Sequence, residues 1–327
     1  IYRIGEYSLY STPSIGISLF PADGDTAELL IRNADAAMYH AKAAGRDNFR
    51  FFAPSMNAAA MERLKIETAL RQALESMSLT SAQFRLEFQP QLNLRDKRIV
   101  GLEALVRWTH PSWGPVPPVR FIPVAEETGL IQPLGDWVFW EACRQLRAFK
   151  EQGIRDVRVA INLSAKQLRE EALPSIVRGA LACYELAPDE IELEITESTA
   201  MLNPEATISI LRRLSDIGIV LAVDDFGTGY SSLAYLKQLP IHRLKLDRCF
   251  IRDVLEDEKG SAICSATIVL GHKLGLDLVA EGVETREQFE HMKALGCDTI
   301  QGYHYCRPLP PEKLIPFLLA RQTGEHD

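Results

Sequence analysis

Five carboxylates, two amides and a lysine stand at or near the ends of short apolar runs in this 327-residue chain: Glu103, Asn162, Glu194, Asp224 with Asp225, Lys245, Glu281 and Gln301. Carboxylates gathered in one pocket repel one another unless cations neutralise them. Donors that are all oxygen favour hard ions, so Mg2+ or Mn2+ is expected rather than zinc. Taken singly, each acid reads as a helix N-cap or a surface charge as readily as a site residue; the case for a shared site is that they recur at the same place in successive units. The most specific stretch is 219–233, where a buried run delivers Asp224 and Asp225 into Phe226-Gly227-Thr228-Gly229. Glycines allow tight backbone beside a ligand. The stretch lacks both the G-K-S/T ending of a phosphate loop and the spacing of a dinucleotide fingerprint, which leaves a metal-site loop or a structural turn.

The elements that must position these residues follow β/α grammar from about residue 84 onward. Strand-like runs at 84–92, 99–108, 157–163, 191–196, 219–223, 243–246, 278–280 and 299–303 alternate with amphipathic helical stretches. Eight such runs predict a (β/α)8 barrel, whose C-terminal strand ends converge on one face and bring distant residues into one pocket. Ahead of it, residues 8–20 read as strand followed by a turn at 21–25. Thr26 then caps a helix carrying Leu30, Ala34, Ala37, Met38 and Ala41 and ending at Gly45, with Lys42 and Arg46 at its solvated end. A second helical pattern, Met61, Leu64, Ile66, Leu70 and Leu74, runs to the Ser-rich stretch 76–81 and reads as a connector.

Composition excludes several classes. Hydrophobic content of 46% and charged content of 24% are those of an ordinary globular protein. No apolar run reaches the roughly 18–20 residues of a membrane span. A net charge of −8 argues against nonspecific binding to a nucleic-acid polymer or an acidic membrane, since both rely on surplus Lys and Arg. Cys143, Cys183, Cys249, Cys264, Cys297 and Cys306 form no C-x-x-C pair and read as reduced thiols of a cytoplasmic protein. The start, without Met or a signal-peptide pattern, reads as the interior of a longer chain. His326-Asp327 is a terminal dipeptide rather than an HD metal site. Neither H-E-x-x-H nor a G-x-S-x-G elbow occurs.

Glu103-Ala104-Leu105, inside Gly101-Leu102-Glu103-Ala104-Leu105-Val106-Arg107-Trp108, is an E-A-L signature. Phe88-Gln89-Pro90-Gln91, Ile161-Asn162-Leu163-Ser164, Glu194-Ile195-Thr196-Glu197, Asp224-Asp225-Phe226-Gly227-Thr228-Gly229, Leu244-Lys245-Leu246-Asp247, Ala280-Glu281-Gly282-Val283-Glu284-Thr285 and Gln301-Gly302-Tyr303 accompany it in order. On these blocks the chain resembles the EAL domain of cyclic di-GMP phosphodiesterases. Ser14-Ile15-Gly16-Ile17-Ser18, Pro21, Ala34-Asp35-Ala36-Ala37-Met38-Tyr39, Ala41-Lys42 and Gly45-Arg46 are similar to the last third of a GGDEF domain, without its GTP-binding signature loop. The implied organisation is a GGDEF remnant at 1–54, a connecting helix at 55–80, an EAL domain with a TIM-like (β/α)8 barrel at 81–321, and a tail at 322–327.

The resemblance implies hydrolysis of cyclic di-GMP to linear pGpG with two ions, Mg2+ or Mn2+. Glu103, Asn162, Glu194 and Asp224 are expected to hold one; Asp224 and Asp225, with Glu281 nearby, the other. Lys245 is expected to position the attacking water, its alternative being a surface lysine. Glu281 is a second candidate for accepting the water's proton, in competition with a metal-made hydroxide. Arg107 shares a strand face with Glu103 and Leu105 and suits a substrate phosphate; Leu105, Gln301 and Gln91 are expected to contact the ligand, Gln91 reading alternatively as a strand-end amide. Glu197 is expected to anchor the Asp-Asp loop and Glu284 to support the site, whereas Glu126 and Glu127 read as caps and surface. A homodimer through the EAL domain is also implied. The competing readings are a catalytically silent EAL receptor for cyclic di-GMP and an unrelated barrel enzyme acting on a sugar phosphate.

Overall fold

The computed structural model describes residues 2–4, 7–9, 12–45, 47–76, 83–228 and 233–322. Arg46, most of the Ser-rich stretch, Gly229 and the tail from 323 lie outside the described residues. The chain divides into two compact units, Ile1–Gln72 and Ala73–Asp327.

In the first unit β1 (Tyr2–Ile4) pairs antiparallel with β2 (Tyr7–Leu9), and β3 (Ile15–Ile17) pairs in parallel with β4 (Phe49–Phe51). The crossover from β3 to β4 carries α1 (Ala27–Ala43). Its N-cap is Thr26, whose hydroxyl accepts from Leu29 N at 3.3 Å. Ala37 and Ala41 are buried, while Ile15, Phe49 and Phe51 stay exposed. The helix α2 (Pro54–Glu75) follows.

The second unit is the expected eight-stranded barrel. Its strands are β5 (Phe84–Asn93), β6 (Ile99–His110), β8 (Arg158–Asn162), β9 (Ile191–Thr196), β10 (Val220–Phe226), β11 (Arg243–Leu246), β12 (Asp277–Glu281) and β13 (Thr299–Gln301). They follow one another round the sheet until β13 and β6 both pair with β5 and close it. A short β7 (Gly114–Val116) extends β6 as a hairpin. One strand departs from the β/α reading: β5 runs antiparallel to both neighbours. Its link to β6, residues 94–98, is too short for the crossover that parallel neighbours need. Asn93 Oδ1 fixes this turn by accepting from Arg95 N at 2.9 Å, and Lys97 takes φ +59°.

Helices cover the outside: α3 (Pro118–Thr128), α4 (Ile131–Glu151), α5 (Leu173–Tyr184), α6 (Glu197–Leu202), α7 (Pro204–Ser215), α8 (Leu233–Leu236), α9 (Arg248–Arg252), α10 (Glu258–Lys273), α11 (Arg286–Ala294) and α12 (Pro311–Gln322). Several begin on side-chain caps readable in the sequence. Asp247 accepts from Cys249 N at 2.9 Å, and Thr285 with Gln288 forms a reciprocal capping box on α11. Outward-facing Leu193, Ile195, Leu244, Leu246, Leu278 and Ile300 join the apolar core beneath these helices. The alternate residues, Glu192, Glu194, Arg243, Lys245 and Gln301, are buried too, on the inner face. The barrel therefore keeps its main apolar core between sheet and helices and places polar groups in its interior beside small apolar residues such as Ala160, Ala222 and Val279.

Candidate functional site

Lys245 lies at the centre of the acid cluster, fully buried on β11. Its Nζ is 2.6 Å from Glu281 Oε1, 2.8 Å from Glu194 Oε2 and 3.3 Å from Asp224 Oδ2. Burial alone favours the neutral amine, but Asp224, Glu103, Glu194 and Glu281 outweigh it and hold the ammonium well above the ordinary lysine range. Burial acts on the acids in the same sense. It pushes Glu281 up to about 8 and Glu194 upward against the pull of Lys245. Asp225 rises to about 6 through burial and the neighbouring charges of Asp224 and Asp247.

Two groups of carboxylate oxygens come close enough to share an ion: Glu103, Glu194 and Asp224 form one, and Asp224, Asp225 and Glu281 the other, so Asp224 belongs to both. These residues fit divalent ions. Neither Glu194 oxygen accepts a hydrogen bond although both are buried, and Lys245 Nζ approaches at ion-pair distance without hydrogen-bond geometry. Such orphaned lone pairs suit a cation. Asn162 joins the cluster by donating from Nδ2 to Glu103 Oε1 at 2.8 Å.

Local geometry aims the two aspartates. The pairing of β10 with β11 shifts register between Val223 and Phe226, and Asp225 takes φ +54°, a left-handed conformation that a non-glycine residue adopts at a cost. The strand thereby turns after Asp224. Glu197, almost fully buried, accepts from Gly227 N at 2.6 Å and ties this turn to the start of α6. Gly227 has φ +97°, and a Cβ there would strike the Phe250 ring.

Higher on β6, Leu105 and Arg107 are half-buried on the face that carries Glu103. Arg107 Nε donates to Glu87 Oε2 at 2.7 Å, and Nη1 to the Val106 carbonyl. Gln301 donates from Nε2 to Glu103 Oε2 and, at 3.2 Å, to Gln89 Oε1. Gln91 is brought elsewhere. Because β5 is antiparallel, Gln91 pairs with Gly101, below the Gln89–Glu103 pair, and is fully buried toward the N-terminal ends of the parallel strands. The amide beside the acids is Gln89, directly opposite Glu103; its signal was the strand-face alternation that also includes Gln91. Glu284 is exposed beside the start of α11, and its side chain does not join the groups around Lys245. Cavities of about 640, 650 and 700 Å3 lined by described residues open elsewhere on this unit.

The family description "EAL domain" matches residues 67–308. The chain belongs to the EAL domain family. A match to the diguanylate cyclase GGDEF domain covers residues 2–48 ahead of it. Among curated relatives, the bifunctional diguanylate cyclase/cyclic di-GMP phosphodiesterase MucR of Pseudomonas aeruginosa is 47% identical over 314 residues, 96% of this chain and 45% of that protein. The cyclic di-GMP phosphodiesterase PdeR of Escherichia coli is 38% identical over 309 residues, 94% of this chain and 46% of its own. The chain thus spans less than half the length of these relatives. The solved MucR phosphodiesterase in complex with c-di-GMP superposes with TM-score 0.72 at 46% identity, covering 76% of this chain and 99% of that one. Among the described residues, no helix is long and apolar enough to cross a membrane.

Proposed function

We propose that this EAL unit hydrolyses cyclic di-GMP to linear pGpG, lowering a cytoplasmic second messenger, and that it does so with two divalent ions, Mg2+ or Mn2+. The observation that carries the reading is the pair of carboxylate groups sharing Asp224 around a fully buried lysine. Glu103, Glu194 and Asp224, with Asn162 beside them, would hold one ion; Asp224, Asp225 and Glu281 would hold the other. Bound there, such ions supply water of lowered pKa and charge neutralisation for displacement at phosphorus.

The chain's own groups account for the rest. Lys245 is held cationic by its acids and is placed to offset charge developing on the phosphate. Glu281 would accept the water proton in its deprotonated form, and because burial pushes its carboxyl up to about 8, that form gains ground only as pH rises toward that value. The bond from water oxygen to phosphorus forms as the bond to the ribose 3′ oxygen breaks, and that oxygen leaves with a proton. Arg107, fixed through Nε by Glu87 and half-buried on the Glu103 face, offers its guanidinium to a phosphate oxygen. Relatives named as cyclic di-GMP phosphodiesterases, and a relative's structure with c-di-GMP, support the substrate. A homodimer through this unit belongs to the same proposal and is read by sedimentation velocity.

The test is incubation of cyclic di-GMP with the chain and Mg2+ or Mn2+, beside an EDTA blank and Glu103→Ala. The expected result is pGpG formation that EDTA abolishes and the variant loses by about 100-fold or more. A folded chain that binds the dinucleotide without opening it overturns the enzyme reading in favour of a receptor.

A further inference from the structure

We propose that Gln91 and Arg243 are positioning residues for the metal-binding carboxylate Glu103, acting through a hydrogen-bonded relay in the barrel interior. The inference rests on the metal-site reading above. Arg243, on β11 two residues before Lys245, is almost fully buried. Its Nη1 donates to Glu192 Oε2 at 2.8 Å and to Gln91 Oε1 at 2.9 Å. Gln91 Nε2 donates to Gln301 Oε1 at 3.0 Å, and Gln301 Nε2 donates to Glu103 Oε2. Four side chains from four strands thus connect the lower layer of the barrel to the acid cluster.

The direction of this relay is fixed by chemistry. A guanidinium has donors and no acceptor, so the Gln91 oxygen must face Arg243. Its amide hydrogens are then left for the Gln301 oxygen, which turns the Gln301 amide hydrogens toward Glu103. Reversing either amide would set oxygen against oxygen at one of these contacts. Glu103 consequently receives one donor on each oxygen, from Gln301 and from Asn162, and its carboxylate plane is set before any ion arrives. Partners of this kind orient ligands, and losing one weakens metal binding by about 10–100-fold.

A separate observation shows that room is kept for the relay. Gly101 faces Gln91 across β5 and β6, and a Cβ there would overlap the Gln91 amide oxygen. The Gln91 side chain occupies the place that a residue at 101 would fill, which makes Gly101→Ala a way to displace Gln91 without altering it.

The test is Mn2+ binding to the full chain, measured by electron paramagnetic resonance of the free ion, for wild type, Gln91→Glu, Gln91→Leu and Gly101→Ala. Gln91→Glu is isosteric and still accepts from Arg243, so Glu192 keeps its ion pair, but it faces Gln301 with an acceptor. The expected result is a Kd about tenfold weaker or more in both Gln91 variants, and weaker in Gly101→Ala. In a Gln301→Leu background, Gln91→Leu should change the Kd by less than about twofold, because the relay is already cut. Gln91 variants that match the wild-type Kd overturn the proposal, as does a Gln91→Leu effect that is undiminished without Gln301. Lower unfolding midpoints in EDTA with an unchanged Kd would mean that Gln91 is purely structural. A wild type that binds no Mn2+ overturns the metal-site reading itself, and the relay with it.

Discussion

Lys245 is a cation fully buried from solvent, and what keeps it charged is the set of carboxylates that burial would otherwise neutralise. Lys245→Met keeps the length of the side chain and removes the charge. Catalysis should fall by about 10²–10³-fold, the loss typical when a group aimed at transition-state charge is removed. Mn2+ binding should persist, since no carboxylate is lost. A turnover assay beside an Mn2+ titration separates the two, and retention of activity would remove Lys245 from the mechanism. At this scale the acids were legible because Glu and Asp at the ends of buried runs are out of place in an apolar interior. The amides were less so. Residues near the C-terminal ends of the parallel strands reach the cluster, but that end of β5 points the other way, which puts Gln89 beside Glu103 and Gln91 beneath it. Glu192 and Arg243 gave no signal, because alternating polar residues in a strand look solvent-facing until the sheet closes around them.

The bulged end of β10 concentrates the local strain of the site. Asp225 at φ +54°, Gly227 at φ +97° and the Glu197 carboxylate on Gly227 N act together to place Asp224 in both ion groups and Asp225 in the second. Gly227→Ala imposes a left-handed backbone on a residue with a Cβ and drives that Cβ into Phe250. The turn must move, so Mn2+ affinity should weaken by about tenfold or more while far-UV circular dichroism stays that of the folded barrel. Glu197→Ala removes the charged partner of the amide of the exposed Gly227, leaving water to replace it, and should weaken Mn2+ binding in the same direction. Unchanged affinity in both variants would show that the turn does not set the geometry of the site. All eight strands and the helix that Thr26 begins were legible from period and caps. The bulge was not, because it depends on the register of β10 against β11 rather than on β10 alone.

Across the whole molecule, proton binding and ion binding oppose one another. Burial makes Glu281 hold its proton up to about 8 and Asp225 up to about 6, both above their values in an unfolded chain, and Glu194 shifts in the same direction. Without metal, the folded protein binds more protons than the unfolded chain between the ordinary carboxyl range and about pH 8, so its stability falls as pH rises through that window. Lys245 contributes in the same sense, but only above the ordinary lysine range, where its stabilising share is lost as pH rises. Ions that bind the deprotonated carboxylates of the folded state reverse the trend. At about 100 times Kd they add about 2.7 kcal/mol, or roughly 5–10 °C in the unfolding midpoint. The rise in midpoint on adding Mn2+ should therefore be small near pH 5.5 and reach that size near pH 8. Tryptophan fluorescence reads it cleanly, since Trp108, Trp113, Trp137 and Trp140, all four tryptophans of the chain, belong to the barrel unit and the first unit is silent. A stabilisation by Mn2+ that is equal at both pH values would mean that the ion binds without displacing protons, and so away from Glu281 and Asp225.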